Sequence, residues 1–303
     1  MTTSELVGSR GSPPGTSREA GFSADAQDLA LDPWSDPRIQ RLTAQLLGYG
    51  SVIVAYSGGV DSTLVAYVAA RVLGDRALAV TGVSASLAGG ERVEAESLAR
   101  DLGFAHRVVD THELAREGYR ANAGDRCYHC KSELFDVLVA LAAREGYATV
   151  ASGDNLDDLA PGEHRPGLRA AAERAVRRPL VDAGLGKADI RALAHALGVP
   201  NHGKPATPCL ASRVPHGTPV DLETLRRIEL AETGVRALGF VHFRVRHHGD
   251  VARIEVPSGD FERVVAQRAA LIAAVKAAGY AFVALDLAGF RSGSLNVLLS
   301  RTR

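Results

Sequence analysis

The sequence predicts an α/β protein in which a parallel sheet wrapped by helices is followed by a smaller α+β region. Three observations predict it. A β-branched run, Val52-Ile53-Val54-Ala55-Tyr56, leads into a glycine turn and then into apolar residues at helical spacing, Leu64, Val65, Val68, Ala69 and Val72. Short apolar strands then alternate with helical stretches of roughly 10 to 15 residues, the signature of βαβ units and a parallel sheet. From Asp221 the order changes to helix, strand, strand, helix, strand, which fits a small α+β sandwich.

Taken in order, residues 1–35 are rich in Gly, Ser, Pro and acidic side chains and are expected to be a disordered leader. Residues 36–218 are expected to form the parallel-sheet domain and 219–303 the C-terminal one. Ile39 to Leu47 reads as a first helix, Ala77 to Val83 as the second strand, Glu91 to Leu102 as a helix and Ala105 to Val109 as a strand. Cys127 to Glu145 reads as a long helix, Ala148 to Ser152 as a strand and Lys187 to Leu197 as a helix. In the C-terminal part, Leu222 to Leu238 is helical and Val241 to Arg246 alternates like a strand. His247-His248-Gly249-Asp250 reads as an exposed turn, Val251 to Val256 as a strand, Phe261 to Lys276 as a helix and Phe282 to Leu287 as a strand.

Composition bounds the function. The 303 residues carry 35 Lys plus Arg against 35 Asp plus Glu, a formal net charge of zero. Such a chain has no global electrostatic reason to hold a nucleic acid. No apolar run reaches the roughly 20 residues that cross a bilayer, so no membrane association is expected. Nothing at the N-terminus suggests export, and three cysteines in a cytoplasmic chain read as thiols or metal ligands rather than disulfides.

The glycine turn carries the first chemistry. Ser57-Gly58-Gly59-Val60-Asp61-Ser62 joins a strand to a helix, so the helix N-terminus and its unpaired N–H groups stand at the carboxyl edge of the sheet. That geometry binds phosphate. The glycines allow close backbone approach, Ser57 and Ser62 add hydroxyls, and Asp61 is suited to Mg2+ bridging the phosphates of ATP. The turn is not a Walker loop, because no Gly-Lys-Ser/Thr follows; it resembles the PP-loop of N-type ATP pyrophosphatases. Val83 and Ser84 end the second strand and are candidates to line the adenine, and Gly153 and Asn155 follow another strand end facing the same crevice.

Cys127 and Cys130 lie at i and i+3, on one face of a helix start, and Cys209 lies far along the chain. Three thiolates fit a 4Fe-4S cluster with one iron left open. A zinc site would need a fourth ligand such as His129 or His202, and a redox pair is a further reading. Arg165, Arg169, Arg213, Arg244, Arg246 and Arg253 are candidate clamps for phosphate or carboxylate. Glu232, Glu255 and Asp260 are candidate metal or substrate contacts.

Across residues 40 to 293 the chain resembles the LarE-type ATP-dependent sulfur transferases. The matching pieces are SGGVDSTLV at 57–65, CYHCK at 127–131, GDNLDD at 153–158, RPGLRAAAE at 165–173, PCLASRVPHG at 208–217, FRVRHHGDVARIE at 243–255 and LDLAGFRSG at 285–293. The resemblance implies a PP-loop, adenine nucleotide alpha hydrolase-like domain. It also implies sulfur insertion into pyridinium-3,5-biscarboxylate mononucleotide for the nickel-pincer cofactor of lactate racemase: ATP adenylylates a carboxylate, and a sulfur nucleophile displaces AMP. Cys209 matches the position that gives up its sulfur in one branch of the family. Cys127 and Cys130 match the additional pair of the branch in which three cysteines hold a 4Fe-4S cluster. Ser212 and Arg213 lie beside the sulfur source in this resemblance, while Glu232, Arg244, Arg246, Glu255 and Asp260 come from the second domain. The expected partners are the mononucleotide, other enzymes of nickel-pincer cofactor synthesis and a second copy of the chain. Rival readings are a PP-loop tRNA thiolase, an ATP-dependent amidotransferase, and a nucleotide-binding regulator with structural zinc.

Overall fold

Burial of the first strand on both faces decides the architecture. In β1 (Val52–Ala55) every residue is buried, and successive side chains enter opposite cores, as a strand's two-residue period requires. Val52 and Val54 join a core built with Ile39, Leu42, Leu46, Leu64, Val68 and Ile190, while Ile53 and Ala55 join another built with Leu78, Val80, Phe135 and Leu138. A strand covered on both faces is the expected setting for a parallel sheet. The computed structural model describes residues 32–160 and 165–291. Its first sheet adds β2 (Ala77–Val83), β3 (His106–Asp110) and β4 (Thr149–Ala151). The strand order is β3-β2-β1-β4, and all its pairings are parallel.

Helices Pro37–Tyr49, Val60–Leu73 and Lys187–Ala196 cover one face, and Arg126–Glu145 with Pro166–Glu173 cover the other. Asp36 caps the first of these by accepting from the Arg38 amide at 2.8 Å, with Pro37 at the first helical position. The helix expected from Glu91 spans Gly89–Asp101.

A second sheet, order β5-β6-β7, is formed by β5 (Arg244–His248), β6 (Val251–Glu255) and β7 (Phe282–Leu285). β5 and β6 make an antiparallel hairpin, and β7 lies parallel to β6. Helix Leu222–Ala237 supplies Ala231 and Val235 to its core, and Leu271 and Val275 come from Arg268–Ala277.

The C-terminal order matches the expectation, with two local corrections. The strand expected at Val241 begins at Arg244 and continues through His248, so the two histidines are not in the turn. His247 is buried, with Nδ1 3.2 Å from Tyr280 Oη. The helix expected over Phe261 to Lys276 is interrupted at Gln267, giving Phe261–Ala266 and Arg268–Ala277. The leader lies outside the described residues as far as residue 31, and Pro33–Ser35 forms a short 3-10 turn. No described helix is long and apolar enough to cross a membrane.

Candidate active site

The phosphate turn is built by its own hydroxyls. Gly58 takes φ +70°, and a Cβ there would sit 2.9 Å from Ala95 Cβ, so only glycine fits without strain. Ser57 N–H donates to Ser62 Oγ at 3.1 Å, and Ser62 Oγ and Thr63 Oγ1 donate to Gly59 O at 3.1 and 2.8 Å. Asn201 ties the loop from outside, donating to Gly58 O at 2.9 Å. No side chain caps the Val60–Leu73 helix, which leaves its N-terminal dipole facing the cavity beyond. Gly153 packs against this helix start: a Cβ added there would lie 2.8 Å from Ser62 N. Asn155 is buried and serves the turn Leu156–Leu159, its side chain accepting from Asp157 N at 2.9 Å.

Asp61 is not free. Lys187 Nζ donates to its two carboxylate oxygens at 2.7 and 2.6 Å. Burial pushes the Asp61 pKa above the usual carboxylate range, and Lys187 offsets part of that shift.

A cavity of about 710 Å³ opens in front of the turn. Ser57, Gly59, Asp61 and Lys187 line one end, and Ser84 and Thr111 line the wall above β2. Cys127, Cys130 and Cys209 line it too, together with Tyr119, Arg126 and Lys131. The phosphate turn and all three cysteines therefore share one space. Cys209 comes from the loop before the turn Leu210–Arg213, and Cys127 and Cys130 from the first turns of Arg126–Glu145.

Burial, then the neighbouring Cys209 sulfur, push the Cys130 thiol far up. The same two causes raise Cys127, with Arg126, Lys131 and Arg165 acting the other way. Such thiols stay protonated unless a cation joins them. In kind, three soft sulfur donors fit an iron–sulfur group. In position they do not yet converge, because among the described residues no group of three or more His, Cys, Asp or Glu side chains is placed to hold a metal ion.

Arg213 and Glu232 line the cavity, joined by hydrogen bonds of 2.8 and 3.1 Å. Behind them, Arg246 donates to Glu255 at 2.9 Å and to Ser212 O at 2.8 Å. Arg244 is buried over the Phe290 ring at 4.5 Å, and burial plus the charges of Arg246 and Arg213 lower its pKa. Arg253 pairs with Glu255 and Asp286. Ser212, Arg244, Arg246 and Glu255 thus gather behind the cavity wall rather than on it.

Four expected contacts are absent from the cavity lining, although Arg165 stands close enough to act on the Cys127 thiol. Arg165 pairs with Asp158 at 2.9 Å, and Arg169 stacks over Tyr128 at 3.9 Å. Asp260 ends the turn Ser258–Asp260, away from the cavity lining. Val83 faces a separate, more open recess with Asp110 and His112, whereas Ser84 borders both spaces.

Sequence reasoning missed Lys187, Glu113 and Tyr119. Glu113 is buried and accepts from the hydroxyls of Ser84 and Ser86. Tyr119 is 1% exposed, and its hydroxyl lies near Ser86 without a well-formed hydrogen bond. The one available signal was position: Glu113 and Tyr119 follow the carboxyl end of β3, where ligands of parallel sheets gather.

A nucleotide-binding turn facing thiols across one cavity defines the class: this is an ATP-using sulfur transferase of the PP-loop fold. A family model described as NAD synthase matches residues 40–129. The chain belongs to the LarE family. It is 38% identical to the pyridinium-3,5-bisthiocarboxylic acid mononucleotide synthase of Lactiplantibacillus plantarum over 270 residues, 86% of this chain and 95% of that protein. An uncharacterized protein of Synechocystis sp. is 44% identical over 82% of this chain and 93% of its own. A tRNA-specific 2-thiouridylase of Azorhizobium caulinodans is 30% identical, over 60% of this chain and 56% of its own.

Proposed function

We propose that this chain inserts sulfur into pyridinium-3,5-biscarboxylate mononucleotide. The observation that carries the reading is the single cavity shared by Ser57, Gly59 and Asp61 with Cys127, Cys130 and Cys209. A carboxylate oxygen of the substrate attacks the α-phosphorus of ATP, the bond from that phosphorus to the bridging oxygen breaks, and pyrophosphate leaves. A sulfur nucleophile then attacks the carbonyl carbon of the mixed anhydride and expels AMP, leaving a thiocarboxylate. The amides of the 57–62 turn bind the phosphates, and Asp61 holds the Mg2+ that enters with ATP. With the substrate present, the products should be AMP and pyrophosphate; ADP and phosphate would remove the chain from this class.

For the sulfur source, Cys127, Cys130 and Cys209 would hold a 4Fe-4S cluster, which when bound supplies a sulfide on its open iron. The Cys209 backbone is held by Arg213, so rotation of the Cys209 side chain, rather than movement of its loop, would bring the third thiol to the other two. Protein purified without oxygen should contain roughly four iron atoms per chain, and changing any one cysteine to alanine should abolish both the iron and multiple turnover. The alternative is donation by Cys209 itself. In that case Cys209 Sγ displaces AMP to form a thioester, elimination then breaks its Cβ–S bond and leaves the sulfur on the product, and mass spectrometry finds dehydroalanine at position 209, lighter than cysteine by the mass of one hydrogen sulfide.

The remaining parts of the reading are a cytoplasmic setting, a homo-oligomeric state and cooperation with other enzymes of nickel-pincer cofactor synthesis. Light scattering on the purified protein tests the oligomer. A tRNA thiolase would require tight tRNA binding that survives physiological salt, and the zero formal net charge favours the small-molecule substrate.

A further inference from the structure

The cation on Asp61 comes from a residue 126 positions away in the chain. Lys187 is the first residue of helix Lys187–Ala196, whose Ile190, Leu193 and Ala194 are buried in the main core. Its backbone is fixed from the other side as well, because its N–H donates to Asp157 Oδ2 at 2.8 Å. The side chain is held differently. It is 35% exposed and lies along the cavity with Ser57 and Gly59, its ammonium on both Asp61 oxygens.

We propose that Lys187 is an exchangeable cation: it neutralises Asp61 in the free protein and moves onto the β- and γ-phosphates when Mg-ATP binds. The inference rests on the ATP-binding half of the function proposed above, and needs neither the pyridinium substrate nor the sulfur. The Asp61 side chain is 24% exposed, and a carboxylate so far withdrawn from water is stabilised by a neighbouring cation. In the free protein only Lys187 is bonded to it among the described side chains. Mg2+ arriving with the nucleotide takes carboxylate oxygens readily and would displace the ammonium. A lysine is a compact charge on a flexible four-carbon stem, so the released Nζ can reach a new anion while the helix stays still.

The phosphates are the anion at hand, since Ser57 and Gly59 of their turn line the same cavity end. When the bond between the α-phosphorus and the bridging oxygen breaks, its electron pair stays with pyrophosphate, and the ammonium stands where that charge develops. A permanent structural ion pair would do none of this.

The two accounts separate in binding assays with inorganic pyrophosphate and AMP. Lys187→Met should weaken Mg-pyrophosphate binding at least tenfold and leave AMP binding within twofold, because AMP lacks the β- and γ-phosphates. Lys187→Arg should recover part of the loss. Asp61→Asn, which frees the ammonium, should tighten metal-free pyrophosphate binding, and that gain should vanish in the Asp61→Asn, Lys187→Met double variant. Equal effects on pyrophosphate and AMP, no effect on either, or a gain that survives in the double variant would overturn the exchange. If the wild type binds neither ligand, the ATP reading itself fails; if it binds both and Lys187→Met matches it, only the role of Lys187 fails.

Discussion

Arg213 grips both oxygens of Glu232, Nε at 2.8 Å and Nη2 at 3.1 Å, while its Nη1 reaches the carbonyls of Pro208 and Cys209 at 2.5 and 3.2 Å. Glu232 also accepts from Val245 N at 3.1 Å. One guanidinium therefore fixes the backbone of the Cys209 loop to the helix and strand of the second sheet.

Both partners are nearly without solvent, 7% and 4% exposed. Arg213→Leu should cost about 3–5 kcal/mol, since it strands a buried carboxylate. Adding Glu232→Leu should return part of that loss. Urea unfolding of the three proteins checks the sign of the second step.

Gly153→Ala should damage ATP binding more than folding. The new Cβ would meet Ser62 N at 2.8 Å and Ser62 Cα at 3.0 Å, so the phosphate helix must shift. Turnover should fall by up to ~100-fold, the cost that a 1 Å misplacement of reacting groups can carry, and nucleotide affinity should fall with it. Thermal melting should change little.

Tyr119→Phe should stabilise the ligand-free protein by up to about 1 kcal/mol, because the buried hydroxyl has only a poorly formed contact with Ser86 to offset its desolvation cost. Its position beside Cys130 and Cys209 in the cavity wall makes it a donor for whatever occupies that space, so turnover should fall in the same variant. A rise in melting temperature with unchanged turnover would remove Tyr119 from the site.

Acid should weaken the fold first through buried imidazoles. Burial lowers the pKa of His247 and of His106. The unfolded chain binds these protons near the ordinary value of about 6.5 and the folded chain only below it. Stability present at neutral pH is therefore lost as pH falls through about 6.5, and levels off once the folded imidazoles are protonated. His247→Asn should make the fall shallower by up to one proton in unfolding titrations between pH ~7 and ~5.5.

The parts of this molecule written in local pattern were legible. Val52 to Ala55 reads as a doubly buried strand because all four side chains are apolar, and the Ser57–Ser62 turn because its glycines and hydroxyls are contiguous. The three cysteines were legible as candidates, but not their spacing within the cavity, which depends on where the Cys209 loop lies. Lys187 was invisible for a related reason. A lysine opening an amphipathic helix looks solvated until tertiary packing delivers it to Asp61. His247 was misread because a His-His-Gly-Asp run resembles a turn, whereas the strand continues to His248 and buries one ring against Tyr280. Arg165 and Arg169 were legible as candidate clamps by charge, but their pairing with Asp158, Glu173 and Tyr128 in the free protein was not, because it depends on how the helix from Pro166 packs.

The Arg213 linkage has a bearing on how such a chain can change over evolutionary time. A module attached only by a linker can be exchanged for another by recombination, and the catalytic half survives the swap. Here helix Leu222–Ala237 supplies Glu232, and the second sheet supplies Val245, to the same knot that holds the Cys209 backbone. A recombinant that replaced everything after residue 218 would keep the phosphate turn intact and lose the anchor of one thiol. The two halves are therefore constrained to be inherited together, and new substrates are more accessible by substitution around the cavity than by exchange of the C-terminal sheet.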